Sequence, residues 1–375
     1  MHDTCTRIRR TRARRLASVA TVTALLTTAI VPAIAAPTIT PIADGFVSPL
    51  GLAAGDDGSI YVAEAFLGQL TRIDRRGERT SVAVAEGEVA SPGVDARGRD
   101  VVFTLSVFPE EGEAPDTTVN RLRPNGTVVE LASLQAFEEA VNPDGDALYG
   151  FVDLDPTCAE QVAEHPFVPA EPYLGIVESN PYAVAIDGGD VIVADAAGNS
   201  IVRVRANGTV SALAVLPPIE QTVSAIVADD YGLPECTVGA TYLGEPVPTD
   251  VEVGPDGHYY VTALPGFPEQ SGAGAVFRVH RRTGAVSLVA DGLTYAVDLA
   301  VSRDGTIYVA ELVTDLETFE GRISRIVDGR AETVVAEPFL LPGAIEIVRT
   351  GQTERIYATF GGLFADDGWL GIVTP

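Results

Sequence analysis

The sequence predicts an all-β fold, a six-bladed β-propeller of four-stranded blades. Three observations predict it: a strand-and-turn pattern recurs six times, the copies use up nearly the whole length, and the two chain ends supply complementary parts of one copy. The pattern is a Pro-containing lead-in, a short apolar strand, an Asp-Gly or Gly-Gly turn, a stronger apolar strand ending in Ala plus an acid or Thr, then an Arg-containing strand and a Gly turn. Its first copy reads Pro49-Leu50-Gly51-Leu52, Asp57-Gly58, Ile60-Tyr61-Val62-Ala63-Glu64, Leu70-Thr71-Arg72-Ile73 and Gly77. Clear relatives carry Val191-Ile192-Val193-Ala194-Asp195 and Ile307-Tyr308-Val309-Ala310-Glu311; a further copy begins at Pro248, and weaker ones at Pro92 and Pro342.

Each copy offers about four strands of ~4 to 6 residues, rich in Val, Ile and Tyr and separated by tight-turn residues, which is the make-up of a propeller blade. Start-to-start spacings of 43, 89, 67, 48 and 46 residues place two large insertions, at about 131–180 and 216–247, in one domain spanning 36–375. The last copy stops at Gly371-Ile372-Val373-Thr374-Pro375 without an outer strand. Thr38-Ile39-Thr40-Pro41-Ile42-Ala43-Asp44-Gly45 matches the outer-strand segment Ala285 to Gly292, so the N-terminal strand is expected to close the ring. A sandwich of many short strands would explain neither the repeat nor this complementarity.

Residues 1–35 read as a cleaved export signal. Six arginines between Arg7 and Arg15 precede the apolar run Leu16 to Ile30, and an Ala-x-Ala pattern ends at Ala35. The run is short for a membrane anchor, dotted with Thr and broken at Pro32. The expected product is secreted, has no membrane span, and carries a formal charge of −32 on 340 residues. That acidity argues against nucleic acid as a partner. Cys158 and Cys236 remain as an even pair, and in an oxidising compartment they are expected to form a disulfide joining the two insertions.

The turns divide the ring into two unlike faces. Asp57-Gly58, Asn125-Gly126, Asn207-Gly208, Asp256-Gly257, Thr283-Gly284 and Asp304-Gly305 are minimal turns on one face. Both insertions, with the loops Ser106 to Thr117, Pro265 to Gly274 and Val313 to Gly321, fall on the other. Long loops converging on one mouth either grip a ligand (a small molecule, glycan or protein) or cap the apolar end of the ring. Asn125-Gly126-Thr127 and Asn207-Gly208-Thr209 fit the glycosylation sequon but read more simply as hairpin turns.

Candidate chemistry is confined to carboxylates. Glu64, Asp195 and Glu311 recur with the blade where the second strand ends, and so read as acids bonding backbone amides of the adjoining loop. Asp250 and Asp298 stand at the third position of the innermost strand, where other copies have Gly51, Ala183 and Ala344; Glu252 and Glu346 are expected beside them near the channel mouth. Such a set could hold calcium or supply a base, or be simply solvated and hydrogen-bonded. The chain past residue 35 has only His165, His258 and His280, scattered along it, which argues against a His-ligated zinc or a His-based triad. No catalytic residue is assigned, and a binding or scaffold role is favoured over a metal-dependent hydrolase or lyase of lactonase type.

The strings Glu178-Ser179-Asn180-Pro181-Tyr182-Ala183-Val184, Ala194-Asp195-Ala196-Ala197-Gly198-Asn199, Pro246-Val247-Pro248-Thr249-Asp250-Val251 and Val261-Thr262-Ala263-Leu264-Pro265-Gly266, with Leu233-Pro234-Glu235-Cys236, resemble the exported ScyD/ScyE family. The resemblance covers nearly all of the chain beyond residue 35 and is related in its repeats to NHL propellers. It implies an extracytoplasmic six-bladed propeller, and brings no catalytic residue to carry over. The family's name comes from gene clusters for the pigment scytonemin, and many members occur where no pigment is made.

Overall fold

The strands begin where the repeat places them. A computed structural model describes residues 36–85, 88–108, 115–363 and 367–375; the expected export signal lies outside these. Pro37–Pro375 form one compact unit. The chain is a β-propeller built of antiparallel four-stranded meanders, the first comprising Pro49–Ala54, Ile60–Glu64, Gln69–Ile73 and Arg79–Val84 in spatial order. Second strands are apolar on both faces because sheets pack against both. Val62, Val193, Val261 and Val309, at matching places in four such strands, are fully buried.

The innermost strands Pro49–Ala54, Val94–Arg97, Pro181–Asp187, Pro248–Val253, Ala296–Val301 and Ala344–Thr350 each contact the next, and the last returns to the first. Close approach of backbone explains the small residues there. A Cβ on Gly51 would lie 1.8 Å from the Pro92 carbonyl oxygen, and one on Gly93 2.8 Å from that of Tyr182. Closure is made by Thr38–Phe46, which pairs antiparallel with Gly368–Thr374 from Thr38 opposite Thr374 to Phe46 opposite Gly368. Thr359 Oγ1 donates to the Pro49 carbonyl at 2.7 Å across the same junction.

The two insertions form one structure of their own. Leu148–Phe151 of the first pairs with Thr241–Gly244 of the second, giving a sheet in the order Tyr173–Leu174, Leu148–Phe151, Thr241–Gly244, Ile219–Thr222. Helix α1 (Gln135–Val141) precedes this sheet, and α2 (Pro156–Val162) and α3 (Ala225–Asp230) flank it. Asp155 caps α2 by accepting from Thr157 N at 2.9 Å, with Pro156 opening the first turn. Phe151, Val162, Val227, Leu233 and Tyr242 make a separate apolar core around the Cys158–Cys236 disulfide, whose Cα atoms are 5.7 Å apart.

Two of the five expected loops are shorter than the sequence suggests. Strand Ile307–Asp315 pairs on to Glu320–Val327 as far as Asp315 opposite Glu320, leaving a four-residue connection. Asp100–Phe108 and Asp116–Leu122 likewise extend into the expected loop Ser106 to Thr117, whose residues 109–114 lie outside the described ones. Ser106 to Phe108, Asp116 and Thr117, and Val313 to Asp315 continue the pleat of their strands into the segments read as loop. Asn125 and Asn207 are turn residues as expected: each Oδ1 accepts the amide of the Thr two residues on, at 3.0 Å.

The disulfide closes a 78-residue span, so removing it should withdraw about 4 kcal/mol of constraint at most, chiefly from the insertions. The double substitution Cys158→Ala/Cys236→Ala should leave the far-UV β signature in place while limited proteolysis cuts first within 156–168 and 225–239. First cuts in the ring strands would show that the insertions are not a separate unit.

Candidate functional site

Antiparallel pairing fixes two rows of side chains along the channel. Asp250 stands opposite Thr262 and Asp298 opposite Ala310, in the row of Gly51, Ala183 and Ala344. One pleat further, Glu252 stands opposite Tyr260, Glu346 opposite Tyr357 and Asp95 opposite Val102, in the row of Ala53, Ala185 and Ala300. The second row therefore places a carboxylate on alternate innermost strands. Asp95 escaped the sequence reading because it lies three residues after Pro92, whereas Glu252 and Glu346 lie four after Pro248 and Pro342, so the repeat as read puts it out of register.

Three of these acids tie neighbouring strands together. Asp95 Oδ2 accepts from Ile186 N at 2.6 Å, Asp250 Oδ2 from Leu299 N at 2.9 Å, and Asp298 Oδ1 from Ile345 N at 2.9 Å. Each bond joins one sheet to the next, so these carboxylates serve as clasps. Around Asp250, Asp298, Thr249 and Tyr182 the channel narrows to a void of about 20 Å³, room for about one water. Asp250 and Asp298 thus stand in a narrow part of the channel.

Glu252 and Glu346, two residues along from Asp250 and Ala344, point to the same side of their strands as those residues, and Glu252 borders this void as well. With Asp95 they line a depression of about 780 Å³ that opens among the short turns at Gly55, Gly254 and Gly351, bordered by Arg97 and Arg349. Glu252 and Glu346 thus belong to the short-turn face. Arg97 Nη1 donates to the Ile186 carbonyl at 3.2 Å, and Arg349 Nε to Glu354 at 3.0 Å, so both guanidiniums are held.

Burial raises every carboxyl of the set. Asp250 is pushed up to about 7 despite the amides of Leu299 and Val251. Glu346 is pushed to about 8 by burial and then by the charge of Asp95. Glu252 and Asp298 rise well above the usual range through burial and then through Glu346 and Asp250 respectively. Tyr182 rises as well, through burial and then through Asp298 and Asp250. The channel is thus a group of like charges that shares protons at neutral pH. No three His, Cys, Asp or Glu side chains among the described residues converge as a metal centre.

The recurring acids behave as backbone anchors. Glu64, Asp195 and Glu311 accept from the amides of Val47, Asn180 and Thr294 at 2.9, 2.7 and 2.9 Å, each fixing the segment that leads into its innermost strand. The loop-rich face is different in kind. Among the described residues, ten of the nineteen exposed large apolar side chains lie in the two insertions, including Phe167, Ile226 and Val238. Phe66, Leu67, Leu316 and Phe339 lie in connections on that same face. Phe167 is 88% exposed and Ile226 73%, so neither is spent on the insertion core.

No protein-family model and no curated protein matches the chain. Solved structures share its fold. A gluconolactonase of Xanthomonas campestris aligns over 90% of this chain and 89% of its own with a TM-score of 0.51 at 10% identity. A putative gluconolactonase aligns over 92% and 93% with a TM-score of 0.50 at 13% identity. A virginiamycin B lyase of Staphylococcus aureus covers 90% and 99% with a TM-score of 0.46 at 12% identity. The first two establish the β-propeller fold.

The raised carboxyls fix a sign for pH dependence. The folded chain holds protons that the unfolded chain releases above about pH 4, so their contribution is fully present below that value and is lost as pH rises through about 7 to 8. The thermal midpoint should fall between about pH 5 and about pH 8, and Glu346→Gln should make the fall shallower. A midpoint that rises over this interval, or an unchanged slope in the variant, would remove the channel acids as its cause.

Proposed function

We propose that this chain is an exported, six-bladed β-propeller binding module of the ScyD/ScyE type that engages a partner through its loop-rich face. The closed order of six innermost strands, with the N-terminal strand completing the last sheet, supports the six-blade reading. The disulfide and the Arg-then-apolar N-terminus support export. Among the described residues no helix is long and apolar enough to cross a membrane.

The observation that carries the binding reading is the exposed apolar surface of the insertions. Soluble proteins seldom leave many large apolar side chains exposed on one face without a use for them. Here the rigid ring and the disulfide hold them in place, which lowers the ordering penalty on binding. The partner that fits is apolar at its contact surface: a protein, a glycan with its apolar ring faces, or a small molecule.

A second reading, a hydrolase or lyase, is favoured by one observation: Asp95, Glu252 and Glu346 line an open depression with Arg75, Arg97 and Arg349 beside them. Carboxyls raised toward neutrality suit general acid catalysis. The protein purified from its own culture medium distinguishes the two. Phe167→Ser/Ile226→Ser/Val238→Ser should release a co-purifying species seen by native mass spectrometry, with the ring still folded. If that species survives the triple substitution and is lost instead in Glu252→Gln/Glu346→Gln, the loop-rich face is not the binding surface.

A further inference from the structure

Asp195 has two counterparts in the same register, and it differs from both. Glu64 stands opposite Gln69 and Glu311 opposite Arg322, and each of these side chains donates to its acid. Thr71 and Ser324, two residues on, donate as well. Asp195 stands opposite Ser200, and Val202 takes the hydroxyl's place. Both side-chain donors from the third strand are missing, and another acid, Glu138 of α1, stands nearby.

Glu138 is fully buried and neither of its carboxylate oxygens has a hydrogen-bond partner. The other unpartnered buried side-chain oxygens among the described residues are Asn142 Oδ1, Asp144 Oδ1 and Ser200 Oγ. All five are hard oxygen atoms, and the first four come from seven consecutive residues. Two are held in orientation by bonds made elsewhere on the same groups. Asn142, at a left-handed φ of 42° just past α1, donates its Nδ2 to the Gly175 carbonyl at 3.2 Å. Asp144 Oδ2 accepts from Tyr149 Oη at 3.2 Å and Asn199 Nδ2 at 2.9 Å, leaving Oδ1 free. Gly198 leaves room for Glu138: a Cβ there would stand 2.4 Å from Oε1.

The charges acting on Glu138 are those of Asp195 and Asp144, both of like sign. Burying unpartnered carboxylates is strongly unfavourable unless positive charge is supplied. A proton on Glu138 would neutralise one carboxyl but leave Asn142 Oδ1 and Asp144 Oδ1 without partners. One cation bound to several oxygens answers all of them. Calcium accepts bidentate carboxylates and amide oxygens in irregular sets, whereas magnesium demands a near-ideal octahedron. The absence of any thiol or imidazole in the set disfavours zinc and copper.

We infer that Glu138, Asn142 and Asp144, with Ser200 beside them, bind a calcium-type divalent cation that braces the first insertion against the strand ending at Asp195. The site is a mixed one, two carboxylates completed by neutral oxygens, and is separate from the channel acids. It does not depend on what the loop-rich face binds.

The test uses the whole chain from residue 36, stripped with chelator and titrated with calcium and then terbium. Calorimetry should give one calcium per chain, and Glu138→Gln should weaken binding at least tenfold. Tyr149, bonded to Asp144, should sensitise terbium emission, so Tyr149→Phe should cut that emission by half or more. This readout stands even if Glu138→Gln fails to fold. No saturable binding at millimolar calcium would overturn the site. So would terbium emission that survives Tyr149→Phe and falls in Tyr182→Phe, which would move the ion to the channel.

Discussion

The pairing of Thr38–Phe46 with Gly368–Thr374 is the constraint on which the rest depends. A ring of sheets packed face to face buries its apolar side chains only if the first and last sheets meet. Without the N-terminal strand, the last sheet would end on an open edge beside the core of Phe46, Leu52, Val62, Ala344 and Leu370. Closure also sets the radius of the ring. With the backbone of Gly51 against Pro92 and of Gly93 against Tyr182, the axis is too narrow for large side chains, and carboxylates that reach the next strand's amides fill it.

That geometry separates two uses of acidic residues. Glu64, Asp195 and Glu311 sit where second strands end and hold incoming backbone; Asp95, Asp250 and Asp298 sit on innermost strands and join one sheet to the next. Crowding of like charge around the axis is tolerated because protons are retained there. The insertions, by contrast, are free of ring geometry. Their strands pair with each other, their core gathers around the disulfide, and their outward side chains are left for contact.

The repeat was legible because the second strands carry a shared apolar run ending in Ala plus an acid, as at Ile60–Glu64 and Ile307–Glu311, or in Thr. The closing strand was legible because Thr38 to Gly45 resembles Ala285 to Gly292. Cys158 and Cys236 announced their bridge by their even number and the compartment expected for the chain. The sheet shared by the insertions was not legible, since Leu148–Phe151 and Thr241–Gly244 are nearly a hundred residues apart and neither carries a partner-specific signal. Nor was the Glu138 group: an acid on a short helix reads as solvated until the fold buries it against Asp195. Asp250 and Asp298 stand out in the sequence by their row, but the row's depth in the channel depends on the whole ring.

Hydrogen–deuterium exchange of the chain from residue 36, with and without any species that co-purifies with it, tests the division between a structural channel and a functional loop face most directly. Protection on binding is predicted in 156–168 and 225–239, with the short turns at 55–58, 254–257 and 350–351 unchanged. Protection confined to those short turns would place the partner over Glu252 and Glu346 and contradict the account.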